Sequence, residues 1–365
     1  MESMIKVGIA GFGIVGQKRK FHIDQNPNME VTAICDVRFK NDLSMIDNES
    51  IDYRYNDLEK ETINIKNKDI RNITYFRDFR DMIKKSKIEA LFVCLPNYLA
   101  SEATILGLEN KCNVFCEKPP GRTVEEVRLV KKTFLKYPKL KLKYGFNHRY
   151  HESVKKAYEY INSNIFGRVV SFRGVYGKSN IIPFGNGWRS EKKYAGGGIL
   201  LDQGIHMLDL IRHFSGDYEE IYSFVDNSYW KHDIEDNAFI LMRNKKGQVA
   251  SLHSTATQWQ HRFRLEIILE EALIELSGIL SGSKSYGSET LKITERTHGD
   301  GSGSQEHKEF TFLQDNSWKE EVDEFSSCIF NDKLVLNGTV DEALKTMEMI
   351  SKIYKADKTW LSNLK

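Results

Sequence analysis

The chain has 365 residues, of which 40% are hydrophobic and 28% charged, with a net charge of +2. That length exceeds one ordinary core, so two domains are expected. The near balance of charge excludes the strong basic field that a nucleic-acid partner needs, and no apolar run approaches a membrane span, Ala90 to Leu95 being typical of the longest.

The stretch Met1 to Gly16 is apolar, but Glu2, the single lysine ahead of the apolar run and the interspersed glycines argue against an export leader. The cysteines number five, an odd count with no C-x-x-C pair. Reduced thiols in a cytoplasmic protein are the expectation, without disulfides or a metal site.

Ile5 to Ala10 suits a buried parallel strand and leads directly into Gly11-Phe12-Gly13-Ile14-Val15-Gly16, a G-x-G-x-x-G pattern. The first glycine suits a tight turn. The second lets backbone approach a pyrophosphate, and the third lets the next helix pack close to the strand. The helix N-terminus then offers free N–H groups and a positive dipole end to the phosphates. Val31 to Cys35 reads as the second strand and ends at Asp36, 20 residues beyond Gly16. A carboxylate there is suited to accept the adenosine ribose hydroxyls, and it repels a 2′-phosphate, which favours NAD over NADP. Arg38 works partly against that preference and leaves NADP open. A turn or helix cap is the plain structural alternative for Asp36.

Phe39 to Asn72 is charged, Asn-rich and long for a strand-to-helix connection. Alternation then resumes. Strands are expected at Ile73–Phe76, Ala90–Leu95, Asn113–Cys116 and Leu140–Phe146, with helices at Asp78–Lys85, Ser101–Asn110 and from Thr123. Thr123 and Glu126 form a capping box. This pattern is that of a doubly wound parallel sheet, with ligands at the strand carboxyl ends. Two of those ends are chemically loaded, Leu95-Pro96-Asn97 and Glu117-Lys118-Pro119-Pro120. A lysine held there is suited to hydrogen-bond a substrate oxygen, whereas a surface role is its usual fate. One X-Pro bond in this turn is expected to be cis.

In the second half, Glu152 to Asn162 reads as a helix. Strands follow at Val169–Tyr176, Ile221–Val225, Ala238–Arg243, Val249–Ser254, Arg264–Leu269, Leu273–Leu276, Thr290–Thr294 and Glu309–Leu313, joined by hairpin-like connections. His298 to Gly303 reads as a mobile hairpin tip. Val340 to Ala356 has helical periodicity with Thr339 as its cap, and Trp318 and Phe325 read as helix-packing residues. One face of so wide a sheet is expected to be covered by a partner subunit, giving a homodimer or homotetramer.

The segment Gly196-Gly197-Gly198-Ile199-Leu200-Leu201-Asp202-Gln203-Gly204-Ile205-His206-Met207-Leu208-Asp209 runs three glycines into an amphipathic stretch. On a helix, Asp202 and His206 lie one above the other, a carboxylate tuning an imidazole. The glycines let backbone pass close to a substrate. A buried structural histidine and a capping aspartate are the plain alternatives. His148 and His151 have no partner in the pattern, and Asp209 reads as structural.

Together, Gly11 to Gly16, Asp36, Leu95-Pro96-Asn97, Glu117-Lys118-Pro119, Asn147-His148-Arg149-Tyr150, Trp188-Arg189 and Gly196 to Asp209 resemble the Gfo/Idh/MocA oxidoreductases in order and rough spacing. The resemblance covers nearly the whole chain. It implies an α/β fold with a Rossmann NAD(P)-binding domain over residues 1–146. Residues 147–365 then form a substrate-binding and oligomerisation domain with a large open, mainly antiparallel sheet. It implies Lys118, Asp202 and His206 as the catalytic set, Asn97 near the nicotinamide, and Arg149, Trp188 and Arg189 around the substrate cleft. Trp188 in a core and Arg189 in a surface ion pair are the structural alternatives. Leu95 and Ala100 depart from the family, which commonly has Thr or Ser and His at those positions. Phe184 to Gly187 is expected to help set the substrate.

The implied reaction is hydride transfer between a nicotinamide and a hydroxyl or keto carbon of a sugar, amino sugar, nucleotide sugar or cyclic polyol. A glycoside hydrolase that keeps its NAD bound, and a non-catalytic NAD(P)- and sugar-sensing regulator, are the alternatives within the same fold.

Overall fold

The computed structural model describes residues 4–39, 73–178, 187–281, 285–297 and 306–362. The connection at 40–72, Phe184 to Asn186 and the His298–Gly303 tip lie outside the described residues. The chain divides into two compact units, Met1–Phe146 with Trp318–Leu344, and Asn147–Ser317 with Lys345–Lys365.

The first unit is a parallel sheet of six strands: β1 (Ile5–Ala10), β2 (Met29–Cys35), β3 (Thr74–Phe76), β4 (Ala90–Val93), β5 (Asn113–Glu117) and β6 (Leu142–Gly145), in the order β3-β2-β1-β4-β5-β6. The order reverses direction between β1 and β4, which is where such sheets bind ligands. The crossover helices are α1 (Ile14–Asp24), α2 (Phe79–Lys85), α3 (Asn97–Glu109) and α4 (Val124–Phe134). Every residue of β4 is buried, as its unbroken apolar run requires.

Two local details differ from the sequence reading. Helix α3 begins at Asn97, four residues before the expected Ser101. Pro96 occupies the position ahead of the first helical residue, where its missing N–H costs nothing. At α4 the Thr123 hydroxyl accepts the Glu126 N–H (3.2 Å), but the Glu126 carboxylate takes the N–H of Arg122 (2.7 Å) instead of that of Thr123. The Arg122 side chain draws it there, its Nε donating to the same carboxylate at 2.8 Å.

A helix from far along the chain completes the core. In α8 (Ser317–Phe330), Val322 and Phe325 are fully buried against the sheet. Phe325 meets Phe92 and Phe115 edge-on at 5.7 and 5.6 Å, and those two rings stack at 4.9 Å. The same helix supplies Glu321. Its Oε2 accepts from Arg19 Nη2 at 2.6 Å, both side chains being 0% exposed, while Arg19 Nε donates to Glu117 at 2.6 Å. One guanidinium therefore serves two carboxylates. Glu321 Oε1 has no hydrogen-bond partner among the described residues. Burial pushes the Glu321 carboxyl up to about 7, against the opposing charges of Arg19 and Lys143.

The second unit is an eight-stranded sheet. Its strands are β7 (Val169–Gly177), β8 (Glu220–Asp226), β9 (Asn237–Arg243), β10 (Val249–Thr255), β11 (Arg262–Leu269), β12 (Ala272–Ser277), β13 (Glu289–Glu295) and β14 (His307–Phe312), in the order β14-β13-β12-β11-β7-β10-β9-β8. All pairs are antiparallel except β7 with β10. Helices α5 (Glu152–Ser163) and α7 (Ile205–Ser215) pack on it, and α6 (Lys192–Ala195) is a single turn before the glycines. At the C-terminus come α9 (Val340–Ala356) and α10 (Lys358–Ser362). Thr339 and Glu342 cap α9 reciprocally, the Thr339 hydroxyl accepting from Glu342 N and the carboxylate accepting from Thr339 N.

Strand alternation puts one set of side chains on helices. The other face shows the cross-strand pairs Tyr222–Leu241 and Phe224–Phe239, all four exposed. All five cysteines are free thiols, and burial raises Cys112 to about 11 and Cys116 to about 12. No helix among the described residues is long and apolar enough to cross a membrane.

Glu321 gives the fold a pH signature. Its pKa is raised in the folded chain, so between about 4.5 and about 7 the native state binds more proton than the unfolded state, and stability falls as pH rises through that window. Thermal denaturation across the window should show a shallower decline for Glu321→Gln than for the wild type. Parallel profiles would contradict the assignment.

Candidate active site

The dinucleotide loop has the geometry its glycines suggest. Gly11 has φ +89°, and a Cβ there would lie 2.4 Å from the Cys94 carbonyl oxygen. A Cβ on Gly16 would lie 2.1 Å from the Gly11 carbonyl oxygen, so close packing of α1 on β1 requires glycine there. A Cβ on Gly13 would meet nothing within 4 Å. Open space thus borders the N-terminus of α1, whose 11 residues carry no acid in the first turn and no side-chain cap at Gly13. Unsatisfied N–H groups from Ile14 and Val15 onward and a positive dipole end fit a pyrophosphate.

Asp36 closes this loop. Its Oδ2 accepts the Phe12 N–H at 2.9 Å, and Arg38 grips the carboxylate from the other side, Nε to Oδ1 at 2.7 Å and Nη2 to Oδ2 at 2.9 Å. Burial opposes its charge, but Arg38 and the backbone N–H groups win and hold the carboxyl below its usual range. Asp36 is therefore ionised, buried and largely neutralised by an exposed guanidinium.

Further along the same strand ends, Leu95 and Pro96 are half-buried and Asn97 is the buried first residue of α3. Glu117 ends β5 in its pair with Arg19, and a Cβ on Gly145 would stand 2.9 Å from Glu117 Oε2, so β6 needs a glycine beside it. Arg19 lies between the rings of Phe115 and Trp318, at 4.4 and 4.3 Å. Lys118 follows, half-buried, and the Lys118–Pro119 bond is the cis one.

In the second unit the three glycines serve the protein's own packing. Gly196 has φ +85° and ends α6. A Cβ on Gly197 would sit 2.3 Å from the Tyr354 hydroxyl, and one on Gly198 2.0 Å from the Glu235 carbonyl oxygen. The buried Glu235 carboxylate accepts the N–H groups of Gly198 (2.7 Å) and Leu200 (3.0 Å) and the Tyr354 hydroxyl (2.7 Å). The expectation of one continuous α-helix is also corrected. Leu200–Gly204 forms a π-helical turn, and α7 starts at Ile205.

Asp202 Oδ2 lies 3.4 Å from Lys178 Nζ and 3.3 Å from Gln203 Nε2. His206, 4% exposed, stacks flat on His148 with ring centroids 3.7 Å apart and planes 12° apart. Arg149 is buried in a bidentate pair with Asp209, Nε and Nη2 each at 2.7 Å, which ties the turn Asn147–Tyr150 to α7. Trp188 and Arg189 form a short 3-10 turn, the half-buried ring and exposed guanidinium stacked at 4.3 Å. His151 is bonded to Glu289 at 2.7 Å.

Several residues escaped the sequence reading: Glu235, Tyr354, Lys178, Tyr176 and the stacking role of His148. Each comes from a different strand, helix or turn from the partner it serves. Only the G-G-G run hinted that something must press close to the backbone.

A parallel sheet with a glycine loop at its first helix, followed by an open sheet with a buried histidine and, four residues before it, an aspartate paired with a lysine, defines a two-unit dinucleotide-binding architecture. The chain belongs to the Gfo/Idh/MocA family. Residues 5–146 match the model of the oxidoreductase family with an NAD-binding Rossmann fold, and residues 154–275 match the GFO/IDH/MocA C-terminal domain. It is similar to D-glucoside 3-dehydrogenase of Escherichia coli, 29% identical over 59% of this chain and 55% of that protein. It is also similar to levoglucosan dehydrogenase of Pseudarthrobacter phenanthrenivorans, 31% identical over 40% and 37%. The chain thus spans about half or less of the length of these curated relatives. A levoglucosan dehydrogenase structure in complex with NADH and levoglucosan shares the fold, with a TM-score of 0.78, 17% identity and 98% of each chain covered.

The Asp36–Arg38 pair makes a distinct prediction. Asp36→Ala should weaken NADH binding by about 1–3 kcal/mol, the range for a lost charged hydrogen bond. Arg38→Ala should widen any preference for NADH over NADPH, because the unshielded carboxylate repels a 2′-phosphate. Fluorescence titration with both cofactors reads both effects.

Proposed function

We propose that this protein is an NAD(P)-dependent oxidoreductase. In this reading it moves hydride between the nicotinamide and a hydroxyl or keto carbon of a sugar, amino sugar, nucleotide sugar or cyclic polyol. The observation that carries the reading is the loop at Gly11 to Gly16, whose open space at Gly13 fits a dinucleotide pyrophosphate. The buried His206, four residues after Asp202 with its Lys178 partner, supports acid/base chemistry. Relatives named for glucoside and levoglucosan dehydrogenation support the substrate class. NAD is the favoured cofactor because Asp36 stands at the ribose position, and Arg38 leaves NADP possible.

The parallel-sheet unit binds the dinucleotide, and the open-sheet unit binds the substrate. Bound, the nicotinamide supplies the hydride acceptor or donor. His206 takes the hydroxyl proton on an imidazole nitrogen during oxidation and returns it during reduction. Asp202 stabilises the imidazolium. Lys118 donates a hydrogen bond to the reacting oxygen and stabilises charge developing there. Arg19 holds Glu117 and so fixes the strand end that carries Lys118. Asn97 would help hold the nicotinamide end of the cofactor, Trp188 and Arg189 serve substrate recognition, and Arg149 acts through Asp209 to set α7.

The exposed sheet face supports a homo-oligomer. Tyr222, Phe224, Phe239 and Leu241 form an apolar half. The same face carries Arg173, Arg264, Glu266 and Glu275, both signs together, which suits a self-complementary contact with a second copy. The cytoplasm is the proposed location, in keeping with five free thiols.

Two experiments test the reading. A panel of polyols, sugars and sugar nucleotides with NAD and NADP should give cofactor reduction or oxidation. His206→Ala and Lys118→Ala should each lower kcat by about two orders of magnitude. Wild-type turnover in both variants would reject the role assignments. Separately, sedimentation should show a dimer or larger species that Phe224→Lys dissociates, whereas a concentration-independent wild-type monomer would reject the oligomer.

A further inference from the structure

His148 and His206 meet face to face in the second unit, 7% and 4% exposed. Their surroundings include a chain of hydrogen bonds whose first links have a defined direction. Asp315 accepts from the Ser317 hydroxyl at 2.5 Å. The Ser317 oxygen then receives the Asn147 amide, Nδ2 to Oγ at 3.2 Å. That orientation turns Asn147 Oδ1 toward His148 Nδ1 at 3.1 Å, so Nδ1 carries the hydrogen. Nε2 meets the Tyr176 hydroxyl at 2.9 Å, and that hydroxyl is also hydrogen-bonded to Tyr286. Tyr176 is buried, which keeps its hydroxyl protonated.

We propose that His148 is a positioning residue for His206: the chain Asp315–Ser317–Asn147–His148–Tyr176 keeps its ring neutral and in one tautomer, and that flat uncharged face sets the plane of the His206 imidazole and accepts its cationic form. The inference rests on His206 being the acid/base group. A proton on both rings would place like charges 3.7 Å apart, so one ring must stay neutral for the other to gain a proton freely. With Nδ1–H donated to Asn147 and the Tyr176 hydroxyl donating to Nε2, the neutral ring is His148. Stacking of an imidazolium on a neutral ring is favourable in the manner of other cation–π contacts.

Charged and titratable groups reach the pair from several neighbouring elements. Lys178 beyond β7 faces Asp202 on the π turn. Tyr286 packs on Tyr176 at 5.6 Å and hydrogen-bonds its hydroxyl, and His261 packs on Tyr286 at 5.0 Å. His151 lies edge-on to His148 at 5.5 Å and is bonded to Glu289. Arg149 is matched by Asp209.

The test has a spectroscopic and a kinetic arm. In the full-length wild type, imidazole nitrogen NMR should show His148 as the neutral Nδ1–H tautomer with no titration between about pH 5.5 and 8, although a free histidine has a pKa of about 6.5. In Tyr176→Phe the donor to Nε2 is gone, and the same signal should titrate. In kinetics, His148→Ala should lower kcat about 10- to 100-fold, the scale of a misplaced catalytic group, with KM for cofactor unchanged. His148→Phe, which keeps a flat ring, should recover most of that loss. A titrating His148 in the wild type, or a His148→Phe enzyme no faster than His148→Ala, would overturn the proposal. His206→Ala serves as the separate control: if it retains full turnover, the acid/base reading fails, whereas the NMR arm reports on His148 regardless.

Discussion

The carboxylate of Glu235 holds the candidate functional segment of the second unit in place. It collects two N–H groups, from Gly198 and Leu200, and one hydroxyl, from Tyr354. The glycines are the complement of that arrangement, because Gly198 runs so close to the Glu235 carbonyl that no Cβ fits. Burial raises the Glu235 pKa, while the three donors favour its ionised form. Leaving the same N–H groups buried without a partner would cost about 1–3 kcal/mol each. The π turn that carries Asp202, and the start of α7 that carries His206, both follow directly from this anchor.

The first unit repeats the principle with opposite charge. Arg19 is wholly buried, sandwiched between two rings, and bonded to one carboxylate from β5 and another from α8. A buried ion is weak evidence of added stability, since desolvation offsets much of its attraction. What it does supply is position. Glu117 ends its strand in a defined place, and Lys118 leaves from there. In both units a buried charge lies one layer behind the candidate chemistry, where it fixes backbone instead of meeting substrate.

Much of this fold was legible from residue pattern. The unbroken apolar run of β4, the alternation in β9 to β13, the Thr339 cap of α9 and the glycine loop each rest on interactions within a few residues. Local sterics and strand periodicity are enough to specify them. The misread details are equally local in appearance but not in cause. Helix α3 starts early because Pro96 sits directly before it. The capping box at Thr123 is diverted because Arg122 competes for Glu126. The π turn replaces an α-helical one, and the contacts that hold its first residues come from Glu235, more than thirty positions away.

By itself, then, the sequence determined the two sheets, their strand alternation, the dinucleotide loop and the identity of Lys118, Asp202 and His206 as candidates. These depend on side-chain period, glycine geometry and motif spacing, all of which are properties of neighbouring residues. Only the tertiary structure decided that α8 closes the core over β4 and β5, that Arg149 spends its guanidinium on Asp209, and that Lys178 reaches Asp202. Only it stacked His148 on His206. Those facts depend on which distant residues a packed core brings within 3 to 4 Å, and no spacing along a chain encodes that directly.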